Sequence, residues 1–376
     1  MNISFLTTGH YPFDDRIFYH MASSLSQQNH VVEIISSKIN LIEDSAGIKL
    51  NCFAGDDFSK RDKIKLFYKR LADFSPEVII CSEPLTILAA KKYSKKQPGK
   101  IRIIYDITEW YPSRKNLTVH NPLIRWFFFI KLLLFNLWAS KLADSFIFGE
   151  WFKSRPYRFF FPRKSFIFTT YYPDLKYIPY RKPDLKKGNL RLAYSGKISL
   201  EKGYHNFFNV LNKLTELRND LLIDVQVIGW YESLRDKDVC ENLFTSVSKN
   251  IHLNISERLD FEKYLELIKE TDIFIDLRSD NLENQHCLPI KLFYHAAFGR
   301  PVIFSDLKSI RKETEIEKFG FLVNPKDSDQ CARLIINYIN DSDLYYNHCE
   351  NARSIAENYY NWKKAEPHFL KFITSN

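Results

Sequence analysis

Cysteine is sparse in this sequence and nowhere paired. Cys52, Cys81, Cys240, Cys287, Cys331 and Cys349 lie far apart, with no Cys-x-x-Cys pair and no Cys/His cluster at metal-ligand spacing. A disulfide framework and a structural zinc site are thereby excluded, and reduced thiols in a cytoplasmic protein are the simpler expectation. Glycine and proline are also few, 11 and 15 of 376 residues, which removes the fibrous and low-complexity classes. No repeat of fixed short period appears. Met1 runs directly into a short apolar segment, Asn2 to Thr7. It has no basic region, long apolar stretch or small-residue cleavage site of a secretory signal, so a cytoplasmic location is expected.

What is present is an ordinary folding composition, 45% hydrophobic and 26% charged, in a chain long enough for two compact domains rather than one core. Charge is unevenly spread. The net +9 arises in residues 1–185, which carry 28 Lys/Arg against 17 Asp/Glu, while the remainder holds 26 against 28. Residues 91–182 alone have 19 basic and 5 acidic side chains among many aromatics. Such a surface attracts anions: nucleic acid, an anionic membrane face and a phosphorylated acceptor all fit it. No nucleic-acid-binding module is recognisable, so nucleic acid is not an expected partner.

Apolar β-branched segments alternate with helical periods along the chain. Strands are expected at Ile3–Thr7, Val31–Ser36, Val78–Cys81, Ile101–Tyr105 and Ser145–Phe148, with a turn over 9–16 and a helix over Ile17–Gln27. Residues 172–189 contain three prolines and no apolar period, which reads as a linker. The pattern then restarts with strands at Leu190–Ser195, Ile223–Ile228, near Ile251–Leu253, Ile273–Leu277 and Pro301–Ser305. Helices are expected at Tyr204–Leu217, Phe261–Lys269 and Ile290–Phe298. Alternation of this kind specifies α/β architecture with parallel sheets.

Leu123 to Ala139 is apolar around nearly the whole helix. Arg125 and Lys131 interrupt it, and its uncharged runs fall short of the roughly 20 residues that span a bilayer. A helix buried between domains is the expectation, with an interfacial membrane helix as the alternative.

Four segments carry chemistry. Tyr194 to Tyr204 (YSGKISLEKGY) follows the first strand of the second half: Gly196 permits close approach to a ligand, and Lys197 and Lys202 offset negative charge on a leaving diphosphate. Cys287 to Ile303 (CLPIKLFYHAAFGRPVI) places Pro289 in the first turn of a helix, with amides available to a phosphate or sugar hydroxyl. Gly9 to Arg16 (GHYPFDDR) follows the first strand, and 105–112 (YDITEWYP) follows a later one, setting the carboxylates Asp106 and Glu109 on a loop expected to face a ligand cleft.

In their order and spacing these segments resemble the retaining glycosyltransferases of the family 4 group, of the bacterial surface-polysaccharide type, and the resemblance covers nearly the whole chain. Residues 9–30 are similar to that family's opening loop and first helix. Gly196–Gly203 is similar to its Gly-Arg…Glu-Lys-Gly turn, with Lys197 where the family has Arg. Residues 289–305 (PIKLFYHAAFGRPVIFS) match its Pro-x-Lys-Leu-Phe-Glu-Tyr…Gly-x-Pro-Val stretch, and Asn361-Trp362 its C-terminal Trp segment.

The resemblance implies the GT-B fold: two Rossmann-like domains facing across a cleft. The first would span 1–175 plus a returning helix at about 360–376, and the second 189–358. It implies a nucleotide diphosphate sugar held by the second domain and a saccharide or polyprenyl-linked acceptor held by the first, with no metal or other cofactor. Lys197 and Lys202 would hold the diphosphate. Gly196, Arg258, Leu259, Glu283, Leu288, Ile290 and Tyr294 would border the donor, and Gly9, His10, Asp15, Arg16 and Thr108 the acceptor. Three positions depart from the family: its ribose-binding Glu falls at Tyr294, an earlier Glu at His286 and a His at Thr108. Glu283 is a possible substitute ligand for the ribose. In a retaining transfer the donor phosphate takes the acceptor's proton, whereas Asp106 or Glu109 acting as general base would signify inversion. A catalytically silent scaffold in a polysaccharide assembly complex is the alternative, and peripheral attachment to the inner membrane face is a further expectation.

Overall fold

The computed structural model describes residues 1–375 apart from 110, 111, 113–116, 118–120, 246 and 247. The chain forms two compact units, Met1–Tyr171 with Ala365–Asn376, and Tyr172–Lys364. The run read as a linker from 172 is thus not free chain. Tyr172, Leu175 and Tyr177 pack on the second unit's core, which includes Ile178, and Tyr172 stacks on Tyr360 at 5.5 Å. Aromatic residues between the prolines supply apolar area that a turn-residue reading overlooks.

The first unit holds eight strands: β1 (Asn2–Thr7), β2 (Val31–Ser36), β3 (Leu41–Ser45), β4 (Ile48–Cys52), β5 (Val78–Cys81), β6 (Arg102–Ile107), β7 (Ser145–Phe148) and β8 (Phe166–Phe168). Their order is β3-β4-β2-β1-β5-β6-β7-β8, parallel except for the β3–β4 hairpin at one edge. The second unit has β9 (Asn189–Ile198), β10 (Leu222–Tyr231), β11 (Ile251–Ser256), β12 (Ile273–Asp276), β13 (Val302–Ser305) and β14 (Gly320–Val323), in the order β11-β10-β9-β12-β13-β14. This is the doubly wound order, all parallel, and the central strands are buried on both faces, as near-continuous Val/Ile/Leu runs require.

The helix following β1 opens differently from its expected Ile17–Gln27. Asp14 caps a π-helical segment, Asp15–Ala22, accepting from the amides of Arg16 and Ile17, and α-helix runs only over Ser23–Gln27. The C-terminal residues rejoin the first unit, where Arg102 donates to the carbonyls of Phe372 at 2.7 Å and Ser375 at 2.8 Å, closing the helix Trp362–Thr374. All six cysteines are unbridged. Five are buried and Cys287 is half-buried.

Two expectations fail on burial. The helix Pro122–Leu142 buries only Asn136, Ala139 and Ser140 completely, while Trp126, Phe127, Leu134 and Trp138 stand more than half exposed. It is therefore not a core helix. Asn121 caps its start, and the Lys164 ammonium donates to the carbonyls of Ser140, Lys141 and Ala143 at its end. At about 30 Å in length it is, among the described residues, the helix long and apolar enough to cross a membrane by length and composition.

Tyr294, in turn, does not border an open polar cleft. It is 4% exposed and lies edge-on to Phe261 at 5.9 Å, among Leu288, Leu292 and Phe293. Replacing it with Glu buries a carboxylate among these side chains. We expect Tyr294→Glu to destabilise the second unit by roughly 2–4 kcal/mol, measured as a lowered calorimetric melting transition. An unchanged transition would contradict this packing.

Candidate active site

In open α/β sheets ligands bind at the carboxyl ends of the two adjacent strands from which the connections diverge. In the second unit these strands are β9 and β12. Gly196, near the end of β9, has φ +104, and a Cβ there would come within 3.0 Å of the Lys291 ammonium. Glycine thus permits Lys291 to reach across and donate to the Ser195 carbonyl. The ammonium also lies 3.7 Å from Asp276 at the end of β12. Asp276 in turn binds Arg278 through Nε at 2.9 Å and Nη2 at 2.5 Å, both side chains being under 10% exposed.

The turn that carries Lys202 is fixed from several sides. The Tyr194 hydroxyl donates to the carbonyls of Lys197 and Lys202, and Ser199 Oγ accepts from the Lys202 amide. Gly203 turns with φ +79 where a Cβ would meet the Leu277 carbonyl at 1.8 Å, pressing the turn against the end of β12. The Lys202 ammonium then donates to Asn284 Oδ1 at 3.1 Å. Three cations, Lys202, Arg278 and Lys291, thus gather around a single buried carboxylate. Burial pushes the Asp276 carboxyl up, but Arg278 and Lys291 outweigh it and hold it far below the usual carboxylate range. Burial, only partly offset by Asp276, brings Lys291 down to about 8.

Gly196 and Lys202 therefore meet in this cluster. Lys197 instead pairs with Glu232, just past the end of β10, at 2.8 Å. Asp276, Arg278 and Lys291 were missed by sequence reasoning. Lys291 stood in plain view in the PIKLF segment, and Asp276 and Arg278 at a strand end, the position that had singled out the other loops. Of the remaining residues expected to border a donor, Arg258 is exposed and stacks on Trp230 at 5.2 Å, and Leu259 packs on the core. Glu283 is half-buried beside Asn284. Leu288 is buried, and Ile290 leads into the short helix Lys291–Ala297.

In the first unit the corresponding strands are β1 and β5. The Glu83 carboxylate after β5 accepts from Thr7 Oγ1 at 2.9 Å and from the amides of Thr8 at 2.8 Å and Gly9 at 2.9 Å. A Cβ on Gly9 would lie 2.8 Å from that carboxylate. The loop's amides thus already hold an internal anion. His10 pairs with Asp14 at 2.8 Å. Burial pushes the imidazole down, but Asp14, with Glu83 and Asp106 behind it, raises it to about 9, so it carries charge at neutral pH. Asp14 was not among the residues expected at the acceptor. Asp15 begins the π-helical segment.

Asp106 and Arg16 are corrected outright. Strand β6 runs on to Ile107, so Asp106 lies within it, fully buried and ion-paired to Arg16, which is 4% exposed. A carboxylate so enclosed cannot serve as general base to an incoming acceptor. Thr108 is nearly buried, its carbonyl accepting from Lys153 Nζ at 2.6 Å and the Tyr171 hydroxyl at 3.3 Å. Glu109 is exposed. Trp110 and Tyr111 of the same segment lie outside the described residues.

Residues 180–358 match the family described as "Glycosyl transferases group 1". An uncharacterized glycosyltransferase of Methanocaldococcus jannaschii is 25% identical over 198 residues, covering 50% of this chain and 45% of that protein, so the chain spans less than half of this relative's length. Among solved structures, sucrose-phosphate synthase of Thermosynechococcus elongatus superposes with TM-score 0.72 at 13% identity, covering 99% of this chain and 98% of that one. Anabaena HepE in complex with UDP-glucose gives 0.70 at 13%, covering both chains fully. WaaG, a glycosyltransferase involved in lipopolysaccharide biosynthesis, gives 0.69 at 16% with the same coverage. Most of the second unit is thus similar to the group 1 glycosyl transferases, and the chain as a whole has the two-domain GT-B fold.

Proposed function

We propose that this protein is a glycosyltransferase that moves a sugar from a nucleotide diphosphate donor to a hydroxyl of a lipid-linked saccharide in surface-polysaccharide synthesis, with retention at the anomeric carbon. The observation that carries the reading is the cluster of Lys202, Arg278 and Lys291 around Asp276 at the ends of β9 and β12. Cations held there meet the charge that develops on a departing diphosphate, which is where fixed electrostatics contribute most to such a transfer. The acceptor hydroxyl attacks from the face the diphosphate leaves, and the phosphate takes the proton. No metal or other cofactor is required, since the side-chain cations do this work. Burial of Asp106 removes one of the two candidate bases for an inverting route and leaves Glu109. HepE, a structural neighbour in complex with UDP-glucose, supports a nucleotide sugar as donor. The departures at Tyr294, His286 and Thr108 leave the cationic cluster intact, so they do not favour a silent scaffold.

The exposed helix Pro122–Leu142 and the basic tract support attachment at the inner face of an anionic membrane. Pelleting with anionic liposomes should occur at low salt, fall as salt rises, and weaken in the triple variant Arg155→Ser, Arg158→Ser, Arg163→Ser. Lys164 is left in place because it closes the helix. Absence of pelleting at every salt concentration would remove the membrane from this reading.

The donor assignment has two tests. Lys202→Ala should cut turnover by at least about 100-fold, the loss typical of removing one fixed charge stabiliser, with an unchanged melting transition. Near-normal turnover would sink the diphosphate assignment. Calorimetric titration with uridine and guanosine diphosphates should show binding of at least one of them. Lys291 is cationic below about pH 8 and neutral above, so this affinity should weaken as pH rises past about 8. The Lys291→Arg variant, charged throughout, should lose that pH dependence.

A further inference from the structure

In the first unit a cavity of about 170 Å³ opens beside the carboxyl end of β6, between the helices Pro122–Leu142 and Trp151–Phe160. Its walls are mainly apolar: Ile107, Pro112, Phe129, Leu133, Leu137 and Pro156 line it. Among the described residues, four polar side chains also reach it: Glu109, which is exposed, and Asn136, Tyr157 and Lys153, which are engaged with neighbouring side chains or backbone. Asn136 donates to the Tyr157 hydroxyl at 2.8 Å and accepts from the Tyr105 hydroxyl at 3.3 Å, and Lys153 donates to Glu150 at 2.7 Å and to the Thr108 carbonyl. Water entering such a cavity gains few hydrogen bonds, so a hydrocarbon is the occupant its chemistry favours.

Two further observations bear on what that hydrocarbon is attached to. The outer face of the helix Pro122–Leu142 presents Leu123, Trp126, Phe127, Leu134 and Trp138 to solvent, and nearby in sequence Phe159, Phe160, Phe166 and Phe168 are exposed as well. The helix that contributes Pro156 and Tyr157 to the wall also carries exposed Arg155 and Arg158, stacked on Trp151 and Phe166. An apolar slot, an aromatic outer face and arginines on the same pair of helices complement a single-chain amphiphile with an anionic head.

We propose that this cavity holds the first isoprene units of a polyprenyl phosphate-linked acceptor, the chain continuing outward along the aromatic helix and the phosphate meeting the arginines. This rests on the lipid-linked acceptor of the preceding reading and assigns it a site. Glu109, an exposed carboxylate, borders the same cavity.

The test uses the full chain and farnesyl phosphate below its aggregation concentration, followed by calorimetry, with dodecyl phosphate and inorganic phosphate as comparators. Farnesyl phosphate should bind at least 10-fold more tightly than either. Filling the cavity by Leu133→Trp or, on the same wall, Leu137→Trp should weaken it by at least 10-fold, while nucleotide diphosphate binding and the melting transition report that the variant is folded. Farnesyl phosphate affinity unmoved in a folded variant of either kind would overturn the proposal, as would equal binding of dodecyl phosphate, which marks unspecific detergent uptake. Failure of wild-type protein to bind any nucleotide diphosphate would sink the transferase reading while leaving this measurement standing, because it needs no donor.

Discussion

The contact on which the strand-end cluster of the second unit depends is the buried ion pair of Asp276, the last residue of β12, and Arg278. A buried pair of this kind contributes little net stability, but deleting one partner strands the other charge at a cost of about 3–5 kcal/mol. Its worth here is positional. Asp276 gives Lys291 a partner at 3.7 Å, and the Leu277 carbonyl between the two charged residues is the surface against which Gly203 turns to bring Lys202 inward. The first unit uses the same device, with Arg16 and Asp106 paired beneath the loop that follows β1. In each case opposite charges fixed under the strand ends leave the loops above them with a defined geometry.

Much of this architecture was legible in the residues, because parallel strands buried on both faces show as apolar runs whose ends are marked by glycine, proline and charge. The strands at Val31–Ser36 and Val78–Cys81 and the helix Tyr204–Leu217 stand where periodicity puts them. What was not legible was the last residue or two of each element, and the chemistry turned on those. Asp106 changed from loop carboxylate to core ion pair because β6 runs two residues beyond its expected end. Asp14, which was not among the expected site residues, pairs with His10 and caps the π-helical segment that Asp15 begins. The β3–β4 hairpin escaped notice because its outer strand, Leu41–Ser45, is mostly polar and exposed.

The helix Pro122–Leu142 shows a different limit. An all-round apolar helix has the same sequence whether its solvent is a protein core or the edge of a bilayer, so periodicity cannot separate the two. Burial can, and here only three residues of its last two turns are fully buried. Tyr294 is the converse case. Alignment to a family carboxylate suggested a ligand-facing position, yet its neighbours are Phe261, Leu288 and Leu292. A phenol takes part in such packing at little cost, where an ionised group does not.

The distribution of thiols has a practical side. Burial pushes Cys52 up to about 11 and Cys240 and Cys349 to about 12, and raises Cys81 and Cys331 as well, so all five are poor nucleophiles as well as shielded ones. Cys287 is the one cysteine of the six with a partly open side chain, and it directly precedes Leu288 in the segment leading to Lys291. The wild-type chain therefore supplies its own single attachment point for an alkylating fluorophore or spin label. Such a reporter sits a few residues from the cation cluster and needs no engineered background stripped of cysteine.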